Sequence, residues 1–306
     1  MALHGMHGIT LGVTDVAAMT PFYEDFGLEA DESGTTFSST HGGAQLSIVE
    51  RKWRQIVDTT LGCDDDDDLD RIRHAATAAG HDYVDLGDAI EIVEPVTGLL
   101  IRVKVMPQVE LDPVEQTPMN QAGYSPRLNA RPDTLFVEAT PRPRKLGHIA
   151  MSSPDIEATG KFLGDIIGAK LSDRVPGNLA FWRTSTDHHN FALAQAPGAV
   201  IHHLAWQMDD MDAIGHAARN LLTDNLERHA WGLGRHFLGS NLFWYFKDPA
   251  GNFVEYFSDI DQIVDDAEWM ARDWEPDKAL YIWGPPTPDA LRPTDIGEII
   301  ETMMAN

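Results

Sequence analysis

Leu146-Gly147-His148-Ile149-Ala150-Met151-Ser152 alternates like a strand, and Asp155 then opens a stretch whose apolar stripe runs through Ile156, Leu163, Ile166 and Ile167 to Gly168. This reads as a strand followed by a helix. The same order occurs near the start of the chain: His7 to Val13 (HGITLGV) is extended, Thr14-Asp15 is a helix-capping pair, and Met19, Phe22 and Tyr23 form a periodic stretch ending near Gly27. The two copies also end alike. Glu94-Pro95-Val96-Thr97-Gly98 precedes Leu99 to Val105, as Asp248-Pro249-Ala250-Gly251 precedes Phe253 to Phe257, each a turn feeding a strand. The chain is thus an internal repeat of α+β units.

A length of 306 residues with 43% hydrophobic content suits two modest cores. Inside the second copy, short strands are expected around Leu179 to Arg183, Asn190 to Leu193 and Ile201 to Gln207. A helix from Met211 to Leu222, capped by Asp209 or Asp210, follows. Pro107, Pro113, Pro118, Pro126, Pro132, Pro141 and Pro143 mark a connector. The expected domains are therefore 1–106 and 142–260, joined by a connector over 107–141 and followed by a tail over 261–306. In the tail, Trp269, Trp274, Tyr281 and Trp283 alternate with Pro276, Pro285, Pro286 and Pro288, a composition suited to packing across a domain face. Asp64 to Asp68 read as the solvated start of a helix through Ile72 and Ala75.

Acidic residues outnumber basic ones by 48 to 23, a formal charge of -25 that repels nucleic acid and anionic lipid surfaces. Cys63 is the only cysteine, so neither an internal disulfide nor a thiolate cluster forms within the chain, and a reducing cytoplasm is the expected location. No apolar run is long enough to span a bilayer, and no basic stretch with an apolar run opens the chain.

Thirteen histidines are present, and strand alternation selects among them. His148 shares a face with the small residues Ala150 and Ser152, which leaves room for a ligand. Glu255 stands between Phe253 and Phe257 on one face, where an unpaired carboxylate is costly and a cation relieves the cost. In Ile201-His202-His203-Leu204-Ala205-Trp206 the two histidines take opposite faces. His203 lies with Ala205 and Gln207 and is the candidate ligand, while His202 lies with Leu204, Trp206 and Met208 and reads as packed core. His148, His203 and Glu255 form a facial triad, a donor set that leaves positions open on an octahedral ion and suits Fe(II) oxygen chemistry. The N-terminal copy offers Arg102 where the C-terminal copy has Glu255, so one repeat binds metal and the other is degenerate.

These residues, with Gly234-Arg235-His236, Ser240-Asn241, Phe243, Tyr245, Asp248-Pro249, Gly251 and Val254-Glu255 in order, resemble the two-domain extradiol ring-cleavage dioxygenases of the vicinal oxygen chelate superfamily. The resemblance covers nearly the whole chain. It implies paired βαβββ modules in each domain, an Fe(II) site in the C-terminal half-open barrel, with Mn(II) as the alternative metal, and O2-dependent opening of a catechol beside its two oxygens. It also implies a homo-oligomer, dimer or tetramer. His189 matches the acid/base histidine of that family, and His236 and Tyr245 match the pair beside the substrate hydroxyls. Ala150 departs from the pattern, since many relatives carry a polar residue there, and Leu238 makes the nearby loop apolar, which together suggest an apolar pocket wall. Trp182, Trp206, Trp244 and Trp283 are candidates to line the pocket, and Arg292 is expected to be exposed. The competing readings are an isomerase or transferase of the same superfamily that uses a metal, and an aromatic-ligand binding protein on the same scaffold.

Overall fold

The computed structural model describes residues 3–114, 118–132, 135, 139–276, 280–291 and 297. The first half runs β1 (Leu3–Val13), α1 (Met19–Asp25), β2 (Glu29–Ala30), β3 (Thr36–Ser39), β4 (Gly43–Glu50), β5 (Gln55–Cys63), α2 (Asp66–Ala79), β6 (Tyr83–Asp85), β7 (Ala89–Val93) and β8 (Leu100–Val105). The second runs β9 (Lys145–Ser153), α3 (Ile156–Phe162), β10 (Lys170–Val175), β11 (Leu179–Arg183), β12 (Phe191–Gln195), β13 (Ile201–Gln207), α4 (Met211–Leu222), β14 (His229–Arg235), β15 (Leu242–Lys247), β16 (Phe253–Ser258) and the short β17 (Arg272–Asp273). Each half is thus a βαβββ unit twice over, in an α+β fold. Arg292 lies outside the described residues.

Both halves pair their strands by one rule. The opening strands of the two units sit side by side and antiparallel at the sheet centre, β1 with β5 and β9 with β13. Each also pairs in parallel with the last strand of its own unit: β4, β8, β12 and β16. The sheet orders are β2-β3-β4-β1-β5-β8-β7-β6 and β14-β15-β16-β13-β9-β12-β11-β10-β17.

The helices begin where the sequence offers acceptors for their first free N–H groups. Asp65, Asp155 and Asp210 cap α2, α3 and α4 by accepting from Asp68, Ala158 and Ala213. Helix α1 starts at Met19, later than the Thr14-Asp15 pair suggests, because Asp15 takes the Ala18 N–H of a leading turn. After α3 the chain widens into a π turn over Leu163–Ile167 and stops at Gly168 with φ 91°. The carbonyl of Ile167 there accepts from Arg71 of α2 at 2.6 Å, which ties the two halves together.

One contiguous apolar core crosses both halves. Phe26 of the first half stacks on Tyr256 of β16 at 4.1 Å, and the Tyr256 hydroxyl donates to the Phe26 carbonyl at 2.6 Å. Between β8 and β9 the described residues hold no strand or helix beyond a Gln121–Tyr124 bridge and isolated turns. The tail returns along the second sheet. β17 pairs with β10, Trp283 bridges to Arg235 of β14, and a 3-10 turn over Asp289–Leu291 follows.

Candidate metal centre

The ligand strands are adjacent at the sheet centre, and their register brings the candidates together. Glu255 on β16 pairs with Ala205 on β13, which pairs with His148 on β9, and His203 lies two residues before Ala205 on the same strand. His148, His203 and Glu255 offer ligand atoms within 4.8 Å of one another, and all three are buried. Nε2 of His148 lies 3.2 Å from Glu255 Oε2, and Nε2 of His203 lies 3.3 Å from the same oxygen. Gly147 lets this close approach occur, since a Cβ there would meet Phe257 Cζ at 2.3 Å, and the Phe257 ring packs 5.1 Å from the His148 ring.

Two observations test whether a cation fits. His203 Nε2, 3.3 Å from Glu255 Oε2, is buried with no hydrogen-bond partner, and buried polar atoms are rarely left so. Glu255 is fully buried, and its ion-pair contacts are with the imidazoles of His148, His203 and His236. Burial, then the neighbouring His202 and His148, pushes the His203 imidazole well below its ordinary pKa, so the ring is neutral near neutral pH and offers a lone pair. Two imidazoles, one with an unpartnered Nε2, and a buried carboxylate fit a divalent first-row cation.

Neighbouring groups orient the set. Asn241 donates to Glu255 Oε1 at 3.1 Å. His202, read from alternation as packed core, instead shares the site. Its Nδ1 lies 2.7 Å from His203 Nδ1, its Nε2 lies 3.1 Å from the Leu291 carbonyl, and its ring lines the cavity. The reason is a register shift between Ile201 and His203 on the β9 ladder, which breaks strict alternation at that point.

The remaining candidates surround this cluster. The His236 Nε2 lies 2.9 Å from the Tyr245 hydroxyl and 3.7 Å from Glu255 Oε1, while its Nδ1 donates to the Leu280 carbonyl of the tail at 2.5 Å. Burial, then the Glu255 charge, raises the Tyr245 phenol well above its usual range, so it stays protonated. The ring of His189 lies 4.2 Å from that of His148, and its Nδ1 lies 3.0 Å from His188 Nδ1. His189 belongs to the irregular segment that enters β12 rather than to the strand itself. Burial, then the His148 charge, lowers its pKa well below the ordinary value.

His148, His189, His203, His236 and Tyr245 open into a cavity of about 330 Å³. Its walls come from β9, β11, β12, β13, β14, β15 and the tail, so the sheet curls around it. Ala150, Leu238, Leu179, Phe181, Leu280 and Leu291 make those walls largely apolar. The tryptophan in the wall is Trp231, not the four expected. Trp206 is fully buried in the core, Trp182 covers Gly160 and Gly164 of the α3 segment, Trp244 reaches His229, and Trp283 is 44% exposed beside Arg235.

The described residues of the first half carry no counterpart. Arg102 pairs with Thr60, which pairs with Gly8, as Glu255 pairs with Ala205 and that with His148. Gly8, Asp58 and Arg102 therefore occupy the equivalent positions, and Arg102 is satisfied by Glu91 of β7 at 2.5 and 2.8 Å.

The sequence pattern of the Glyoxalase/Bleomycin resistance protein/Dioxygenase superfamily matches residues 145–256. Metapyrocatechase 2 of Cupriavidus necator is 29% identical over 297 residues, covering 94% of this chain and 91% of that protein. An iron-dependent extradiol dioxygenase of Rhodococcus jostii is 29% identical over 154 residues, 45% of this chain and 50% of the relative. The fold is shared with a Mn(II)-bound glyoxalase from Novosphingobium aromaticivorans at a TM-score of 0.73 and 23% identity, over 94% of each chain. The chain is thus similar over nearly its full length to metapyrocatechase 2, and the superfamily pattern spans His148, His203 and Glu255.

Proposed function

We propose that the protein is an Fe(II)-dependent extradiol dioxygenase that opens a catechol ring beside its two hydroxyls, with His148, His203 and Glu255 as the metal ligands. The observation that carries this reading is the convergence of His148 Nε2, the orphaned His203 Nε2 and the buried Glu255 carboxylate beside an apolar cavity. A bound Fe(II) supplies Lewis acidity toward two phenolic oxygens and redox contact with O2. The other roles fall to this chain's own side chains. Tyr245 and His236 hold the proton that leaves a substrate hydroxyl: the Leu280 carbonyl takes His236 Nδ1–H, so Nε2 is free to accept from the phenol. His189, its ring 4.2 Å from that of His148, lines the same cavity and is placed to handle a second proton there. The apolar walls exclude water, which strengthens each of these contacts.

The cavity also bears on the substrate. Its volume lies at the small end of ligand pockets. No lysine or arginine is among its described lining residues, and Asp289 is its acidic member. An uncharged catechol with an apolar substituent suits such walls, and a carboxylated one does not. The test is anaerobic loading with Fe(II), then addition of substituted catechols in air. The expected result is a yellow ring-opened semialdehyde with one O2 consumed per catechol, and neutral alkyl or aryl catechols turned over in preference to carboxylated ones. Metal uptake without O2 consumption, or isomerisation without oxygen, refutes the dioxygenase reading.

A further inference from the structure

Two pairs of adjacent histidines stand at this centre, and they are built alike. In each, the two Nδ1 atoms face one another, at 2.7 Å for His202-His203 and 3.0 Å for His188-His189. The Nε2 of the first ring in each pair is then anchored to an oxygen away from the metal cluster: the Leu291 carbonyl for His202, and Asp173 Oδ2 at 3.0 Å for His188. His188 and Asp173 are both buried, and neither lines the cavity.

The proton positions follow from the anchor. Asp173 Oδ1 already accepts from the Arg272 N–H at 2.9 Å and from Trp274 Nε1 at 3.0 Å, so Oδ2 is the oxygen left for His188. A carboxylate only accepts, so His188 must donate from Nε2, and a neutral imidazole then has a bare Nδ1. Nδ1 of His189 must therefore carry the hydrogen it shares with His188, which leaves Nε2 as the lone pair of the cavity-lining ring. Gly239 makes room for the contact, since a Cβ there would sit 3.2 Å from His188 Nδ1 and 3.3 Å from His189 Cε1.

We propose that Asp173 and His188 are positioning residues that fix His189 in its Nδ1–H tautomer, so that His189 meets substrate first as a base at Nε2. This rests on the dioxygenase reading above for the role of His189. In the step, the O–H bond of the substrate's second hydroxyl, the one not served by Tyr245 and His236, breaks, its electron pair stays on that phenolic oxygen, and the proton forms an N–H bond at His189 Nε2. The imidazolium so formed is held by His188 and, through it, by the Asp173 carboxylate, and it later returns the same proton.

The test reads the tautomer without turnover. In full-length protein with 15N-labelled histidine, loaded with diamagnetic Zn(II), long-range nitrogen–proton correlations distinguish the two tautomers, and a His189→Gln spectrum assigns the ring. The expected wild-type pattern is protonation on Nδ1. In Asp173→Asn the amide oxygen stays with Arg272 and Trp274 and its NH2 faces His188. Both tautomers then invert, His189 becomes Nε2–H, and kcat with Fe(II) falls at least about tenfold at unchanged metal content. A wild-type His189 protonated on Nε2 overturns the proposal, and so does an Asn variant that keeps the wild-type pattern. Should that variant not fold, the wild-type spectrum alone decides. Absence of ring cleavage by the wild-type Fe(II) protein would fail the underlying reading instead, and the tautomer signals do not depend on it.

Discussion

Replacing His202 by phenylalanine separates a packing role from a ligand-orienting one. The new ring keeps most of the volume and the contact with Phe253, whose centroid lies 5.1 Å away, but it removes both hydrogen bonds. His203 then loses the acceptor 2.7 Å from its Nδ1, and a buried donor left unsatisfied costs about 1–3 kcal/mol. Metal binding suffers in a second way. While His202 accepts at Nδ1, His203 keeps its hydrogen there and presents a bare Nε2 toward Glu255, and once the acceptor is gone both tautomers are populated. Outer-shell partners of this kind are worth about 10- to 100-fold in metal affinity, or about 1.4–2.7 kcal/mol. The assay is anaerobic Fe(II) titration against a competing chelator, with wild type and His202→Phe side by side. Affinity within about threefold of wild type, well short of that range, would mean that His202 only fills space and that the Leu291 anchor is incidental.

Tyr245→Phe is expected to keep metal content while the pH profile of kcat shifts, because the hydroxyl 2.9 Å from His236 Nε2 is lost; an unmoved profile assigns Tyr245 to packing. Asp248 gives a stability test. Burial raises its carboxyl from 3.8 to about 6 against the opposing bonds from Asn252. A raised carboxyl favours the protonated fold, so its contribution is full below the unfolded pKa and is lost as pH rises through the folded one. The loss is worth about 3 kcal/mol between roughly pH 4 and pH 7. Denaturation of wild type and Asp248→Asn across that window should show the variant gaining by about that amount toward neutral pH, and a constant gap refutes it. Metal analysis should find one ion per chain, since Gly8, Asp58 and Arg102 stand where the second half has its three candidate ligands. Two ions per chain would contradict that equivalence.

The parts of the site legible in the sequence were those governed by strand period and by repetition. Glu255 lies on regular ladders to both sides, where a period of two fixes the face. His148 still lines the cavity with Ala150, as alternation has it, although the ladder to β13 shifts just before it. The turn–strand copies at Glu94 and Asp248 mark where β8 and β16 begin. Period fails where the ladder is irregular. The shift between Ile201 and His203 brings His202 to the cavity that alternation denied it, and His188-His189 lie in an irregular segment where no period applies. Asp173 pairs with His188 across a gap of 15 residues and is held by Arg272 and Trp274 about 100 residues further on. Only the closing of the tail over β10 brings these groups together, and local pattern holds no trace of that event. The tryptophans fail for a related reason: Trp231 reaches the cavity from β14, at the edge of the sheet, because the sheet curls, and curling is a property of many strands at once. What the sequence does carry at these places is the doublet itself. Adjacent histidines cannot both face one side of a flat strand, so a doublet occurring twice beside candidate ligands signals that the backbone bends there and that the second imidazole has been given work to do.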